Sequence, residues 1–452
     1  MSIATEEQTV VDKVSKQLYI GGEWRDASGG GTLEVIDPAT EEPLCEVADG
    51  TPEDAAAALD AAVDMRAEWA ATPPNDRAGI LWKAFELLME RADELAVLMT
   101  LEMGKPVAES KAEIVYAADF FRWYSGEALR IDGNYKQFAN GTSRVLVMKP
   151  AQQTPLSMLA LGQILEEAGL PGGVFNILTT SSSGSTTGPL IEDPRLRKLS
   201  FTGSTEVGRK LIEASAQNVL KVSMELGGNA PFLIFEDADL DAAVEGALLA
   251  KMRNIGEACT SANRFHVAEP VREEFASRLA EKMGGLKMGR GTEDDVKVGP
   301  LIDQPSREKV AELVQDALDK GATRVVGGEI PDGRGYFYAP TVHDEVPQDA
   351  RVFHEEIFGP VAPVGVFSSE EDAIARANDT EYGLVAYVFT RDIKRAIRVC
   401  EGLDTGMVGL NQGMVSNAGA PFGGVKQSGI GREGGHEGLE EFLETKYVAV
   451  NL

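Results

Sequence analysis

An alternation of short apolar runs and helical patterns, broken once and then resumed, constrains this chain more than any other feature. Residues 143–148 read as a strand, 155–168 as a helix closed by Gly169-Leu170-Pro171, 174–178 and 199–201 as strands, and 207–216 as a helix. After Gly227 the pattern restarts, with strands at 232–235 and 265–268 and helices at 242–252, 272–283 and 307–320. Strands at 364–367 and 383–389 continue it. Parallel strands need crossover connections, so strand–helix alternation of this kind requires parallel sheets. The sequence therefore predicts two α/β lobes with a hinge near 225–228. Ahead of them, 18–24 reads as a strand meeting a Gly-Gly turn. Thr51-Pro52-Glu53-Asp54 supplies an N-cap, a proline at the first helical position and early acids. Apolar residues at helical spacing (Ile80, Leu81, Ala84, Leu87, Leu88) predict one helix over 78–99, and another follows over 107–129.

Composition narrows the function. A chain of 452 residues holds more than one domain. Its net charge of −29 opposes nucleic-acid binding, because phosphate is repelled. Cys45, Cys259 and Cys400 are too few and too scattered for a disulfide framework. No apolar run is long enough to span a bilayer and no basic leader opens the chain, so no membrane association is expected and the cytoplasm is the expected location. His266, His343, His354 and His436 show no metal-ligand spacing, and no metal is expected.

Cys259 is the candidate nucleophile. It lies in Gly256-Glu257-Ala258-Cys259-Thr260, between polar flanks and after a glycine that permits close backbone approach. Glu225, in Met224-Glu225-Leu226-Gly227-Gly228, is a carboxylate upstream. A thiol with a separate carboxylate suits covalent catalysis followed by base-assisted hydrolysis. A lone intracellular cysteine is more often a small buried hydrophobe, and from the residues alone that reading stays open.

These two runs, with Phe201-Thr202-Gly203-Ser204-Thr205-Glu206-Val207-Gly208, Glu355-Glu356-Ile357-Phe358-Gly359-Pro360 and Pro421-Phe422-Gly423-Gly424, resemble the aldehyde dehydrogenase superfamily. The resemblance extends over nearly the whole chain. By eye it is closest to the succinate-semialdehyde dehydrogenase subgroup. It implies an α/β fold of two doubly wound lobes plus a small β oligomerisation unit. The cofactor-binding lobe would comprise 1–134 and 149–226, and the catalytic lobe 227–430. A hairpin at 135–148 and a terminal strand within 431–452 would assemble a homodimer or homotetramer. The implied activity is NAD(P)-dependent oxidation of an aldehyde to its acid, with Cys259 attacking the carbonyl and Glu225 activating water.

The same resemblance assigns further residues. Gly203 and Ser204 would neighbour the pyrophosphate at a helix N-terminus, although a plain strand–turn–helix junction explains the run as well. Lys149 and Gln152 would face the adenosine ribose. Neutral Gln152 stands where NAD-preferring relatives often carry glutamate, and it removes a repulsion against a 2′-phosphate, so the cofactor is NADP or NAD. Without the resemblance, Lys149 is a solvated strand-end lysine. Glu356 would hold the nicotinamide ribose and Phe358 would pack on the ring, where a core phenylalanine is the alternative. Phe422 would lie near the substrate. Arg253 and Ser416 match positions that bind a substrate carboxylate, and Arg253 can equally be a cation at a helix C-terminus.

The chain also departs from the family. Val147-Met148-Lys149 runs directly into Pro150-Ala151-Gln152, where the family carries a strand, a Pro-Trp-Asn-Phe-Pro motif and a helix. That segment would supply the side-chain oxyanion donor. The subgroup's second carboxylate-binding arginine is absent as well. Loss of this strand–helix segment of the cofactor lobe is expected to expose sheet edge and apolar core. It leaves three alternatives beside succinate semialdehyde oxidation: a dehydrogenase for another aldehyde, a catalytically impaired oligomeric dinucleotide-binding homologue, and, ranked last, a cysteine hydrolase.

Overall fold

The computed structural model describes residues 5–131, 145–445, 447, 449 and 451. Most of the expected oligomerisation hairpin and part of the terminal strand lie outside the described residues. Leu146–Met148 is a strand paired in parallel with Phe175–Ile177.

The second lobe is built on a seven-stranded sheet in the order Thr323–Val326, Thr341–Asp344, Val361–Phe367, Ala262–Ala268, Ala230–Ile234, Val385–Phe389, Met407–Leu410. All neighbours are parallel except the first pair. The central strands are buried along their whole length, as parallel strands covered on both faces must be. Their side chains alternate between two cores. Phe232 and Ile234 pack with the helices Leu240–Met252, Arg272–Gly284 and Gln304–Asp319. Leu233 and Phe235 pack on the other face with the helices Glu370–Asn378 and Ile393–Gly402.

Besides the two-stranded pair Thr32–Asp37 and Glu42–Ala48, the first lobe carries two smaller sheets. One runs Glu23–Arg25, Leu18–Ile20, Phe175–Ile177, Leu146–Met148, and the other Gly429–Ile430, Lys221–Glu225, Lys198–Thr202. One layer of helices (Pro52–Ala71, Ser183–Glu192, Thr205–Ala216) packs in sequence across both. The sheets end on Leu146–Met148 and Lys198–Thr202, and among the described residues no strand pairs with the outer side of either. Neither end strand contains a fully buried residue, and Leu146 is 39% exposed.

Local chemistry accounts for most elements. The helix Pro52–Ala71 opens with a reciprocal capping box. Thr51 Oγ1 accepts from the Asp54 N–H, and the Asp54 carboxylate accepts from the Thr51 N–H. The single helix expected over 78–99 is instead two, Pro74–Glu90 and Ala92–Met103, because Arg91 leaves helical geometry (φ −101°, ψ 13°) and pairs with Glu167. The apolar period continues through this break, so the sequence carried no sign of it. Among the described residues, no helix is long and apolar enough to cross a membrane.

Candidate active site

The helix Leu240–Met252 points its C-terminus at a strained turn. Asn254, Ile255 and Gly256 follow one another at φ 56°, 61° and 81°. A β-branched residue at positive φ is a rare conformation held only by its surroundings. Here Ile255 is buried, the Asn254 N–H donates to the Glu109 carboxylate, and the Glu257 N–H donates to the Asn254 carbonyl at 2.8 Å. Cys259 is presented just beyond this turn, ahead of the strand Ala262–Ala268. Two glycines let backbones touch around it. A Cβ on Gly228 would lie 2.3 Å from the Cys259 carbonyl oxygen, and one on Gly256 would lie 2.3 Å from the Gly359 carbonyl oxygen.

Glu225 ends the strand Lys221–Glu225 and is buried, with Oε2 unpartnered among the described residues. Burial, reinforced by Glu433 and opposed by Arg432, pushes its pKa up to about 8. Cys259 keeps partial solvent contact, yet burial of the thiol, with Glu356 and Glu225 adding to it, raises its pKa to about 12. Arg253 is the cation that opposes this rise. The sequence-predicted Cys259, Glu225, Glu356 and Arg253 thus act on one another in space.

Arg253 Nη2 donates to Thr260 Oγ1 at 3.3 Å and lines a small cleft with Thr260, Tyr387, Met414 and Val415. Tyr116, on the helix Val107–Glu127, interacts with the side chain of Ser416 and feels both Arg253 and Cys259. Sequence reasoning missed Tyr116. Tyr116, Phe120 and Tyr124 recur at helical spacing and read as packing residues, and Tyr116 does pack edge-on against Phe120. Phe422 exchanges two backbone hydrogen bonds of 2.7 Å with Glu433, and the loop it starts covers Glu225, where a Cβ on Gly423 would lie 2.9 Å from Oε1.

The remaining predicted residues lie in the first lobe and on the 356–359 loop of the second. Lys149 follows Leu146–Met148 and donates from Nζ to Ser183 Oγ at 3.2 Å, at the first residue of the helix Ser183–Glu192. Burial lowers its pKa. Ser183 was also missed, because its Ser/Gly/Thr-rich run reads as loop. Gln152 is exposed. Gly203 and Ser204 join Lys198–Thr202 to the helix Thr205–Ala216, which Ser204 caps by accepting from the Val207 N–H at 3.4 Å. Glu356 Oε1 accepts from the Gly228 N–H at 3.0 Å. Phe358 is 39% exposed at φ 52°, so it is no core residue.

Two α/β lobes meet at this site, where a thiol lies in the field of a buried carboxylate. The chain belongs to the aldehyde dehydrogenase family, whose model matches residues 24–145 and 139–448. It is 49% identical to a succinate-semialdehyde dehydrogenase of Paenarthrobacter nicotinovorans, covering 90% of this chain and 98% of that protein. It is 45% identical to the succinate-semialdehyde dehydrogenase [NADP(+)] of Escherichia coli K12, covering 97% of this chain and 98% of that one. That alignment runs over 473 positions, more than the 452 residues of this chain. The crystal structure of succinate-semialdehyde dehydrogenase from Burkholderia pseudomallei superposes with a TM-score of 0.94 at 43% identity, covering 97% of this chain and 98% of that one.

Proposed function

We propose that this chain oxidises succinate semialdehyde, or a closely related aldehyde, to the carboxylic acid through a thioester on Cys259, with NADP or NAD as the oxidant. The observation that carries this reading is the strained turn that sets Cys259 in the field of both Glu225 and Arg253. The names of the relatives supply the substrate class and the phosphorylated cofactor.

The residues present fit a dinucleotide. Ser204 opens the helix Thr205–Ala216, whose free N–H groups suit a pyrophosphate. Lys149 beside Ser183 offers a cation and a hydroxyl for a ribose 2′-phosphate, with no carboxylate at Gln152 to repel it. Glu356 and the exposed Phe358 would receive the nicotinamide end. The chemistry the nicotinamide supplies when bound is acceptance of a hydride.

The chain's own residues do the rest. Arg253, Ser416 and Tyr116 hold the substrate carboxylate, which brings the carbonyl to Cys259. The Cys259 thiol releases its proton to solvent and, as thiolate, adds to that carbon to form a thiohemiacetal. Loss of hydride from this carbon leaves the thioester. Glu225, as carboxylate, takes a proton from water, whose oxygen attacks the thioester and releases the acid and the thiolate. One difficult oxidation becomes two easier steps.

A second reading has its own support. The unpaired edges Leu146–Met148 and Lys198–Thr202, and a family match that falls into two stretches meeting just ahead of the first, favour loss of one strand–helix segment. An oxyanion donor lost with it would lower the rate about 10²–10³-fold. The seven-stranded sheet, built from strands between 230 and 410, supports the expected catalytic lobe, although Gly429–Ile430 pairs with the first lobe's Lys221–Glu225, and a homo-oligomer in the cytoplasm completes the proposal. The experiment pairs nucleotide titration with NADP-dependent succinate semialdehyde oxidation, for the native protein and for Cys259→Ala. Binding by both with turnover only by the native protein supports the reading. Binding without turnover by either supports the impaired homologue, and turnover by the mutant overturns the role of Cys259.

A further inference from the structure

Lys251 lies one residue from the end of the helix Leu240–Met252 and is completely buried. An ammonium removed from water is costly unless its donors are satisfied and a counter-charge is near. Its Nζ donates to Asn263 Oδ1 at 2.9 Å and to the Gly359 carbonyl at 3.2 Å. Asn263 Nδ2 reaches the Gly228 carbonyl at 3.5 Å, and the Gly228 N–H donates to Glu356 Oε1 at 3.0 Å. Glu356 and Gly359 belong to one loop, so the contacts close a circuit: Lys251, Asn263, Gly228, Glu356, Gly359 and back to Lys251. The circuit ties together the segment carrying Cys259, the segment following Glu225 and the loop carrying Glu356 and Phe358. Direct backbone contacts reinforce it at Gly228 against Cys259 and at Gly256 against Gly359.

We propose that Lys251 is a positioning residue that clamps the 356–359 loop onto Gly228, so that Glu356 and Phe358 are held ready for the nicotinamide half of the dinucleotide. This rests on the dinucleotide reading above. Phe358 occupies a strained conformation, which persists only while its loop is held from both ends. Glu356 holds one end through Gly228, and Lys251 holds the other through Gly359. Burial lowers the Lys251 pKa to about 7, and in its protonated form Lys251 favours the charged form of Glu356. Without the ammonium, the Gly359 carbonyl and Asn263 Oδ1 lose their donor, and the carboxylate loses its nearby positive charge.

The test separates the two halves of the cofactor. NADP and adenosine 2′,5′-bisphosphate, which lacks the nicotinamide ribose, are titrated against the native protein and Lys251→Met. The methionine keeps the volume and removes the donors. NADP should bind about tenfold more weakly to the variant, in line with a lost charge-assisted hydrogen bond. The bisphosphate, which reaches only the Lys149 end, should bind equally to both. Where turnover is measured, KM for NADP should rise more than kcat falls. Circular dichroism reports whether the variant folds. If it does not, Lys251→Gln, which keeps one donor, carries the same comparison with a smaller loss. A purely structural lysine would lower thermal stability and leave the NADP-to-bisphosphate ratio unchanged, and that ratio unchanged overturns the proposal. Failure of the native protein to bind either nucleotide overturns the dinucleotide reading itself, and the role of Lys251 with it.

Discussion

Burial sets the protonation of Cys259 and Glu225 before any substrate arrives. Glu225 can take a proton from water only as a carboxylate, and its pKa is pushed up to about 8. Thioester hydrolysis should therefore speed up as pH rises toward about 8 and level off above it. Glu225→Gln should remove that limb and slow deacylation while leaving thioester formation in place. Rapid mixing should then show a burst of reduced cofactor followed by slow turnover. A mutant with no burst and an unchanged steady state would take this role from Glu225. Arg253 makes a different kind of claim. Its guanidinium bonds Thr260 and faces the Tyr116–Ser416 pair, a geometry suited to a carboxylate. Arg253→Ala should lose about 1.5–3 kcal/mol of transition-state binding for succinate semialdehyde, roughly ten- to a hundredfold in kcat/KM. It should lose far less for butyraldehyde. Equal losses on both would make Arg253 a support for the strained turn instead. Cys259, Glu225 and Arg253 could be named because each sits in a contiguous run that matches a family motif, while the residues alone left a buried cysteine and a helix-end cation as open readings. Tyr116, Ser183 and Lys251 could not, because each acquires its setting from a segment distant in sequence: Tyr116 from Ser416, Ser183 from Lys149, and Lys251 from Asn263 and Gly359.

Most elements were readable wherever a period or a cap was present. The capping box at Thr51, the strands around Phe232 and Phe265, and the helices Leu240–Met252 and Arg272–Gly284 all follow from local pattern. The hairpin Thr32–Asp37 and Glu42–Ala48 was not read: Pro38 opens its turn, but the positive φ that closes it falls on Glu41 (60°) and not on a glycine. The helix Ser183–Glu192 was hidden by a composition that favours turns. At the same scale lies the division of the first lobe into two sheets. Strand edges without partners leave N–H groups open to water, and local opening there needs no global unfolding. Amides of Lys198–Thr202 should exchange with deuterated solvent much faster than those of Ala230–Ile234, which lies inside the seven-stranded sheet with both faces covered. Peptide-level hydrogen exchange measures this directly. Equal protection in the two strands would mean that the Lys198–Thr202 edge is covered in solution.

For the molecule as a whole, the response to acid is set by buried groups of opposite tendency. His266 and His343 lie on the strands flanking Val361–Phe367, both fully buried, with no hydrogen-bond partner on either ring nitrogen among the described residues. His266 rests against the Phe353 ring, with centroids 5.3 Å apart. Burial, assisted by Arg264, holds His266 well below the usual imidazole value, and burial with Arg324 lowers His343 to about 4. Below pH 6.5 the unfolded chain takes protons that the native imidazoles refuse, so stability falls with pH in that window. For His343 the loss stops near pH 4, where the native imidazole is itself protonated. Between pH 7 and pH 5 each histidine removes about 2 kcal/mol. Four carboxylates, three buried and Glu356 half-buried, act in the opposite sense. Glu102 and Glu356 are raised to about 7, and Glu225 and Glu257 to about 8, so the native state binds their protons first and gains stability as pH falls toward 4.5. The two effects overlap, and the stability profile of the native protein alone cannot separate them. A variant with both histidines replaced (His266→Phe, His343→Phe) keeps the carboxylates and removes the imidazoles. Any packing penalty of the new rings is independent of pH. Urea unfolding at pH 7 and pH 5 should therefore show the variant gaining about 4 kcal/mol on the native protein across that interval. A stability difference that does not change with pH would mean that the histidines are solvated or paired in solution and do not set the acid limit.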